Sequence, residues 1–185
     1  MPSLRTTLAL GAALALLAQG VASLAFPPNP GMQYSGTSGD VINNSLLVVG
    51  CLFLGGFLLL SARSAERLVV TELVAAGVGA LLISASTLAT VAAGEERWDG
   101  AYVAGFVLSA IGYVVAMVGT RSWTFGALLL GIILALAFFA SAGSLALGGA
   151  VLLVLWDPNL SAADHGSTHD DQHDRPVSAH ARPSA

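Results

Sequence analysis

The sequence contains no lysine, and all seven of its cationic residues are arginines. Without lysine, a P-loop phosphate site and a Schiff-base pigment such as a retinal protein are excluded. The arginines form no basic patch, so we expect no binding to nucleic acid. Charged residues make up only 10% of the chain, whereas a soluble domain carries about 25%. The chain therefore has too little polar surface to cover a globule in water.

Cysteine is almost absent too, and the single Cys51 allows no disulfide within the chain. What the sequence has instead is hydrophobic residues, at 55% of the total, gathered into long blocks. A helix that crosses a bilayer needs about 20 apolar residues, and several blocks approach that length. We therefore predict an all-α, polytopic transmembrane helix bundle in residues 1–158, embedded in a lipid bilayer. Its expected spans are residues 7–26, 45–62, 68–93, 101–119, 123–140 and 142–157.

The last apolar stretch, residues 123–156, decides between six spans and five. It contains no charge, and one helix of that length would be about 50 Å long, well over the ~30 Å hydrocarbon core. We predict two short spans that turn near residues 141–144, which places Trp123 and Trp156 at the same interface. The alternative is one tilted span, which would put the C-terminal tail on the other side.

The connections predict the orientation of the chain. Residues 27–44 are rich in proline and glycine and contain no arginine, so we expect a loop there. Arg5, the pair Arg63 and Arg67, and Arg121 fall on the opposite side. Because positively charged short loops stay in the cytoplasm, we expect a cytoplasmic N-terminus. The absence of lysine is typical of a high-GC prokaryotic genome, which indicates a prokaryotic plasma membrane.

The two ends of the chain have their own interpretations. The first block could be a signal peptide cleaved near Ser23 and Ala25, but we expect an uncleaved first span because the rest of the chain can insert without it. Residues 159–185 are polar and have little to bury, so we predict a disordered tail. Within it, His165, His169 and His173 are spaced by four and suit zinc, nickel or copper. A solvated tail without metal is the simpler interpretation.

Glu72 is the most conspicuous side chain in the apolar blocks, four residues inside the third. An ionisable residue at membrane depth is by default a functional candidate, for example in proton or cation handling. The simpler interpretation is a shallow, hydrated carboxylate within ~7 Å of Arg67 along the axis. Further along the same helix come hydroxyl side chains that could extend a polar path or merely join helices; these are Ser84, Thr87 and Thr90.

Small residues recur at the spacing that lets helices pack closely. The examples are Gly105 with Ser109, Gly112 with Ala116, Ala76 with Ala80, and the Gly55–Gly56 pair. They support a compact bundle and identify no partner. Together with the near absence of polar groups in the apolar blocks, they suggest a non-catalytic membrane protein, an accessory or interaction subunit that packs against other subunits or itself. The alternative is a small transporter or proton-coupled carrier that uses Glu72. No span contains histidine, so we expect neither an enzyme of the Ser–His type nor a cofactor such as haem.

Overall fold

The computed structural model describes residues 3–26, 34–64, 67–95, 99–120, 123–137 and 140–156. These segments hold six α-helices and, within them, no strand: α1 Leu4–Ala25, α2 Ser38–Ser64, α3 Arg67–Ala93, α4 Asp99–Thr120, α5 Trp123–Ala137 and α6 Ala140–Trp156. The all-α prediction is confirmed for this part of the chain. The predicted disordered tail lies outside the described residues.

Four of the helices, α1 to α4, are long and apolar enough to cross a membrane. The apolar helices α5 and α6 are shorter, with 15 and 17 residues, or about 22 and 26 Å at the usual helical rise. The charge-free stretch 123–156 thus contains two helices and not one long helix: α5 ends at Ala137 and α6 begins at Ala140.

The outward faces of the long helices are apolar. On α4, the side chains of Val103, Val107, Ile111 and Val118 are each more than half exposed. They recur at helical spacing, so they form one continuous stripe along the helix. Soluble monomers rarely expose an apolar patch of this extent to water. In a bilayer the same patch contacts lipid chains, so its apolar surface is not hydrated.

The predicted end of the loop at residue 44 is wrong, because α2 already begins at Ser38. Polar side chains build this start of the helix. The Thr37 hydroxyl oxygen accepts the N–H of Asp40 at 3.3 Å, and the Asn44 amide donates to the Asp40 carbonyl at 2.9 Å. The Asp40 carboxylate also sits in the first turn, where the helix dipole favours negative charge.

The turn predicted at residues 141–144 is also wrong, because these residues form the first turns of α6. Their small size serves close packing instead. A Cβ added at Gly143 would collide with Ala135 of α5, and one added at Gly131 would lie 2.7 Å from Leu147 Cγ. The small residues thus bring the two helices together side by side, and the chain reverses before them.

The six helices close into a ring. Each helix packs on its neighbour in sequence, and α6 also packs on α1. The residues that face one another show that the closely packed neighbours run antiparallel. The closing contact is made by Gly20, whose position faces Leu145, and by Gly148, which faces Leu17. We call the end of the ring with the last residues of α1, α3 and α5 the Phe26 end, and the opposite end the Arg63 end.

The closest approach in the ring is between α3 and α4, where the small-residue spacing of the sequence is used. A Cβ added at Gly105 would lie 2.7 Å from the Gly79 carbonyl oxygen, and one at Gly112 would lie 2.6 Å from the Glu72 carbonyl oxygen. Between these glycines the Ser109 hydroxyl donates to the Ala76 carbonyl at 3.3 Å. These small residues therefore join helices of the same chain.

This contact predicts that Gly105→Ala destabilises the bundle. The added methyl would press on backbone of α3, which cannot move aside as a side chain can, and overpacking of this kind costs about 1–3 kcal/mol. We expect the Tm in detergent to fall by roughly 3–10 °C. Gly149→Ala is the matched control, because no atom lies within 4 Å of the added Cβ. Equal Tm values for the two variants would contradict the close approach.

Candidate functional site

Glu72 lies in the second turn of α3, about 8 Å along the axis from the start of the helix. Its side chain is half-buried, and its Oε2 atom is buried with no hydrogen-bond partner among the described residues. Its backbone carbonyl faces Gly112 of α4. The side chain of Arg67, which the sequence suggested as a partner, lies outside the described part of the structure.

Two of the hydroxyl residues of α3, Ser84 and Thr87, bond to backbone carbonyls and not toward Glu72. Ser84 donates to the Val48 carbonyl of α2 at 3.0 Å, and Thr87 donates back to Ile83 of its own helix at 2.8 Å. Thr90 is also engaged in an interaction. Ser84 lies about 18 Å from Glu72 along the helix axis. The bond of Ser84 joins two helices, and the bond of Thr87 satisfies a buried hydroxyl within its own helix.

The histidines of the predicted metal tail, His165, His169 and His173, lie outside the described residues. Within the described segments, no group of three or more His, Cys, Asp or Glu side chains is placed to hold a metal ion.

A cavity of about 60 Å³ lies inside the ring and is lined by side chains from all six helices. Most of its wall is apolar, with residues such as Leu54, Ile83 and Leu147. Six lining residues carry a polar atom: Gln19, Cys51, Tyr102, Ser109, Tyr113 and Ser144. Neither Glu72 nor the Ser/Thr residues of α3 line it. The cavity is thus a second candidate site, separate from Glu72.

One face of α4 forms a large part of the wall. Tyr102, Phe106, Ser109 and Tyr113 follow one another at intervals of four, three and four residues, which places them on one side of a helix. The Tyr102 and Phe106 rings meet edge to face, with centroids 4.9 Å apart. Ser109 is held by its bond to Ala76 of α3. Sequence reasoning missed this stripe, although its spacing was visible.

Two of the lining residues each bury a polar atom without a hydrogen-bond partner among the described residues: Gln19 Oε1 and the Tyr113 hydroxyl. Gln19 is only 4% exposed and Tyr113 only 1%. Leaving such a group unsatisfied costs about 1–3 kcal/mol, and buried polar groups are nearly always hydrogen-bonded. The two atoms are therefore the strongest indication of a binding site in the ring.

The nitrogen of the Gln19 amide belongs to a chain of hydrogen-bonded, buried side chains. We call this chain the amide relay, and its members are Gln19, Ser23 and Asn43. Gln19 Nε2 lies 3.1 Å from Ser23 Oγ, and Ser23 Oγ lies 3.3 Å from Asn43 Oδ1. Asn43 Nδ2 lies 3.0 Å from the Phe26 carbonyl oxygen. The relay links α1 to the early turns of α2 and runs from the Phe26 end toward the cavity.

Sequence reasoning missed Gln19 and Asn43 for different reasons. Gln19 is the only amide in the first apolar block, and that isolation was a usable signal. Asn43 belonged to a segment predicted to be a loop, so nothing placed it against α1.

No protein-family model, curated protein or solved structure matches this chain.

Proposed function

We propose that this chain is a non-catalytic integral membrane protein that binds a small uncharged molecule inside its ring of helices. The observation that supports this is that two residues lining the cavity, Gln19 and Tyr113, each bury a polar atom that has no hydrogen-bond partner among the described residues. Ligand sites are concave and mostly apolar, with a few polar groups that fix orientation. Among the described residues of the lining none is charged, and burying an ion there would be very costly.

A role as an accessory or interaction subunit is supported by fewer observations. The small-residue spacing suggested this role, but Gly105, Gly112 and Gly55 face helices of the same chain. A contact with another subunit, or with a second copy, would have to use the outward apolar faces.

The binding proposal predicts that filling the cavity abolishes binding. Ala80 lines the cavity, and Ala80→Val adds two methyl groups to its wall. Ala104 of α4 is exposed on the outside of the ring, so Ala104→Val is the matched control. We expect propan-2-ol or acetone to show saturation transfer from the purified protein in detergent, above that from empty micelles. The signal should persist in Ala104→Val and disappear in Ala80→Val. No signal from wild type with either probe would overturn the proposal.

A proton-coupled carrier is the second candidate, and the specific observation in its favour is the buried, unpartnered Oε2 of Glu72. Ionisable residues within membrane-spanning helices mark proton relays in transporters, and Glu72 Oε2 has no hydrogen-bond partner among the described residues.

The carrier proposal predicts that Glu72→Gln abolishes proton movement. In proteoliposomes, a potassium diffusion potential would draw protons inward through wild type, reported by a pH-sensitive dye. Glu95→Gln is the control, because Glu95 is an exposed carboxylate at the other end of α3 and its loss should leave the flux unchanged. A wild-type flux no greater than that of empty liposomes would end the carrier hypothesis, as would an unaffected Glu72→Gln.

We further propose six spans in the plasma membrane of a prokaryote, with the Arg63 end in the cytoplasm. Arg5 and Arg63 lie at that end, whereas Asp40 and Glu95 are the described acidic side chains near the Phe26 end. The antiparallel packing of α5 on α6 supports two short spans. Since α1 closes the ring, cleavage after Ala25 would remove a wall of the cavity, which favours an uncleaved first span.

Cysteine labelling tests this topology. Gly100 and Gly119 lie near opposite ends of α4, and nothing lies within 4 Å of a Cβ added at either. In a Cys51→Ala background, a membrane-impermeant maleimide should label Gly100→Cys in intact cells. Gly119→Cys should be labelled only after permeabilisation. Six spans predict that Ala185→Cys behaves like Gly119→Cys, whereas five spans predict that it behaves like Gly100→Cys.

A further inference from the structure

The amide relay fixes which atom Gln19 presents to the cavity. The Phe26 carbonyl can only accept, so the atom of Asn43 that faces it must be the amide nitrogen. Asn43 Oδ1 then faces Ser23 and can only accept, which obliges the Ser23 hydroxyl to donate to it. Because Ser23 has a single proton, it can only accept from Gln19, whose nitrogen must therefore face Ser23.

The consequence is that Gln19 turns its oxygen, and not its nitrogen, away from the relay. Gln19 lines the cavity, whereas Ser23 and Asn43 do not, and Oε1 is the amide atom that the relay leaves unused. This atom has no partner among the described residues. The Phe26 backbone carbonyl thus sets which atom of the Gln19 amide is left without a partner.

We propose that the cavity selects small uncharged molecules that carry an O–H or N–H donor, and that Gln19 Oε1 is the atom that recognises the donor. This inference rests on the proposed binding function and adds its specificity. The Tyr113 hydroxyl both donates and accepts, so it tolerates either kind of group and does not select. The apolar wall and a volume of about 60 Å³ limit the ligand to a few non-hydrogen atoms. Simple alcohols and amides have this chemistry.

Propan-2-ol and acetone form a matched pair of probes, because both have four non-hydrogen atoms and only the alcohol can donate. We expect wild type to bind propan-2-ol roughly two- to tenfold more tightly than acetone, the range that one neutral hydrogen bond supplies. The ratio of dissociation constants would be measured by saturation-transfer titration in detergent, with empty micelles as the blank. Binding of both probes with equal affinity would overturn this inference and leave the proposed function standing. Binding of neither would overturn the proposed function itself.

Ser23→Ala tests whether the relay sets the preference. The substitution removes the hydroxyl that holds the Gln19 nitrogen, yet it leaves the lining of the cavity unchanged, so the amide can rotate and offer its N–H groups to acetone. We expect the ratio to fall to about one while both probes still bind. Gln19→Leu should also remove the preference, by removing the acceptor. If Ser23→Ala keeps the wild-type ratio, the relay does not orient the amide.

Discussion

The packing of α6 against α1 is the contact on which the rest of the structure depends. Helices that follow one another in the chain are held close by their short connections, but α1 and α6 come from opposite ends of the described sequence. Only their packing converts a row of antiparallel helices into a ring. Gly20 and Gly148 make it possible, since side chains at these positions would meet Leu145 and Leu17. The ring in turn creates an interior that belongs to no single pair of helices, and the cavity lies there.

A second constraint is that polar groups away from water must find partners within the protein. Some hydroxyls do so within their own helix: Ser61 donates to the Phe57 carbonyl and Thr87 to that of Ile83. Among the described residues, three buried atoms without partners stand out: Gln19 Oε1, Glu72 Oε2 and the Tyr113 hydroxyl. Two of the three belong to residues that line the cavity, and this coincidence gives the cavity more weight than Glu72.

The sequence was sufficient for the fold class and for the positions of most helices, because long apolar blocks interrupted by charges leave few alternatives. It failed where small or polar residues are compatible with a turn or loop and also with a helix. Residues 141–144 resembled a turn but serve close packing against α5, and residues 38–44 resembled a loop but form the polar first turns of α2. The cavity could not be predicted, because helices that are apolar all round do not reveal which face points inward. Only the stripe from Tyr102 to Tyr113 and the lone Gln19 were visible in advance.

The two proposed sites are physically separate, and this separation shapes what each can do. Glu72 lies near the Arg63 end and does not line the cavity, whereas the amide relay approaches the cavity from the Phe26 end. A carrier that coupled protons at Glu72 to a ligand in the cavity would need α3 or α4 to transmit the change, because both helices contribute to both regions. Their contact through Gly79, Gly105 and Gly112 brings backbone against backbone, so the two helices would have to move together as one unit. Coupling would therefore proceed by displacement of the α3–α4 pair against the rest of the ring, and a protein that only binds its ligand would need no such displacement.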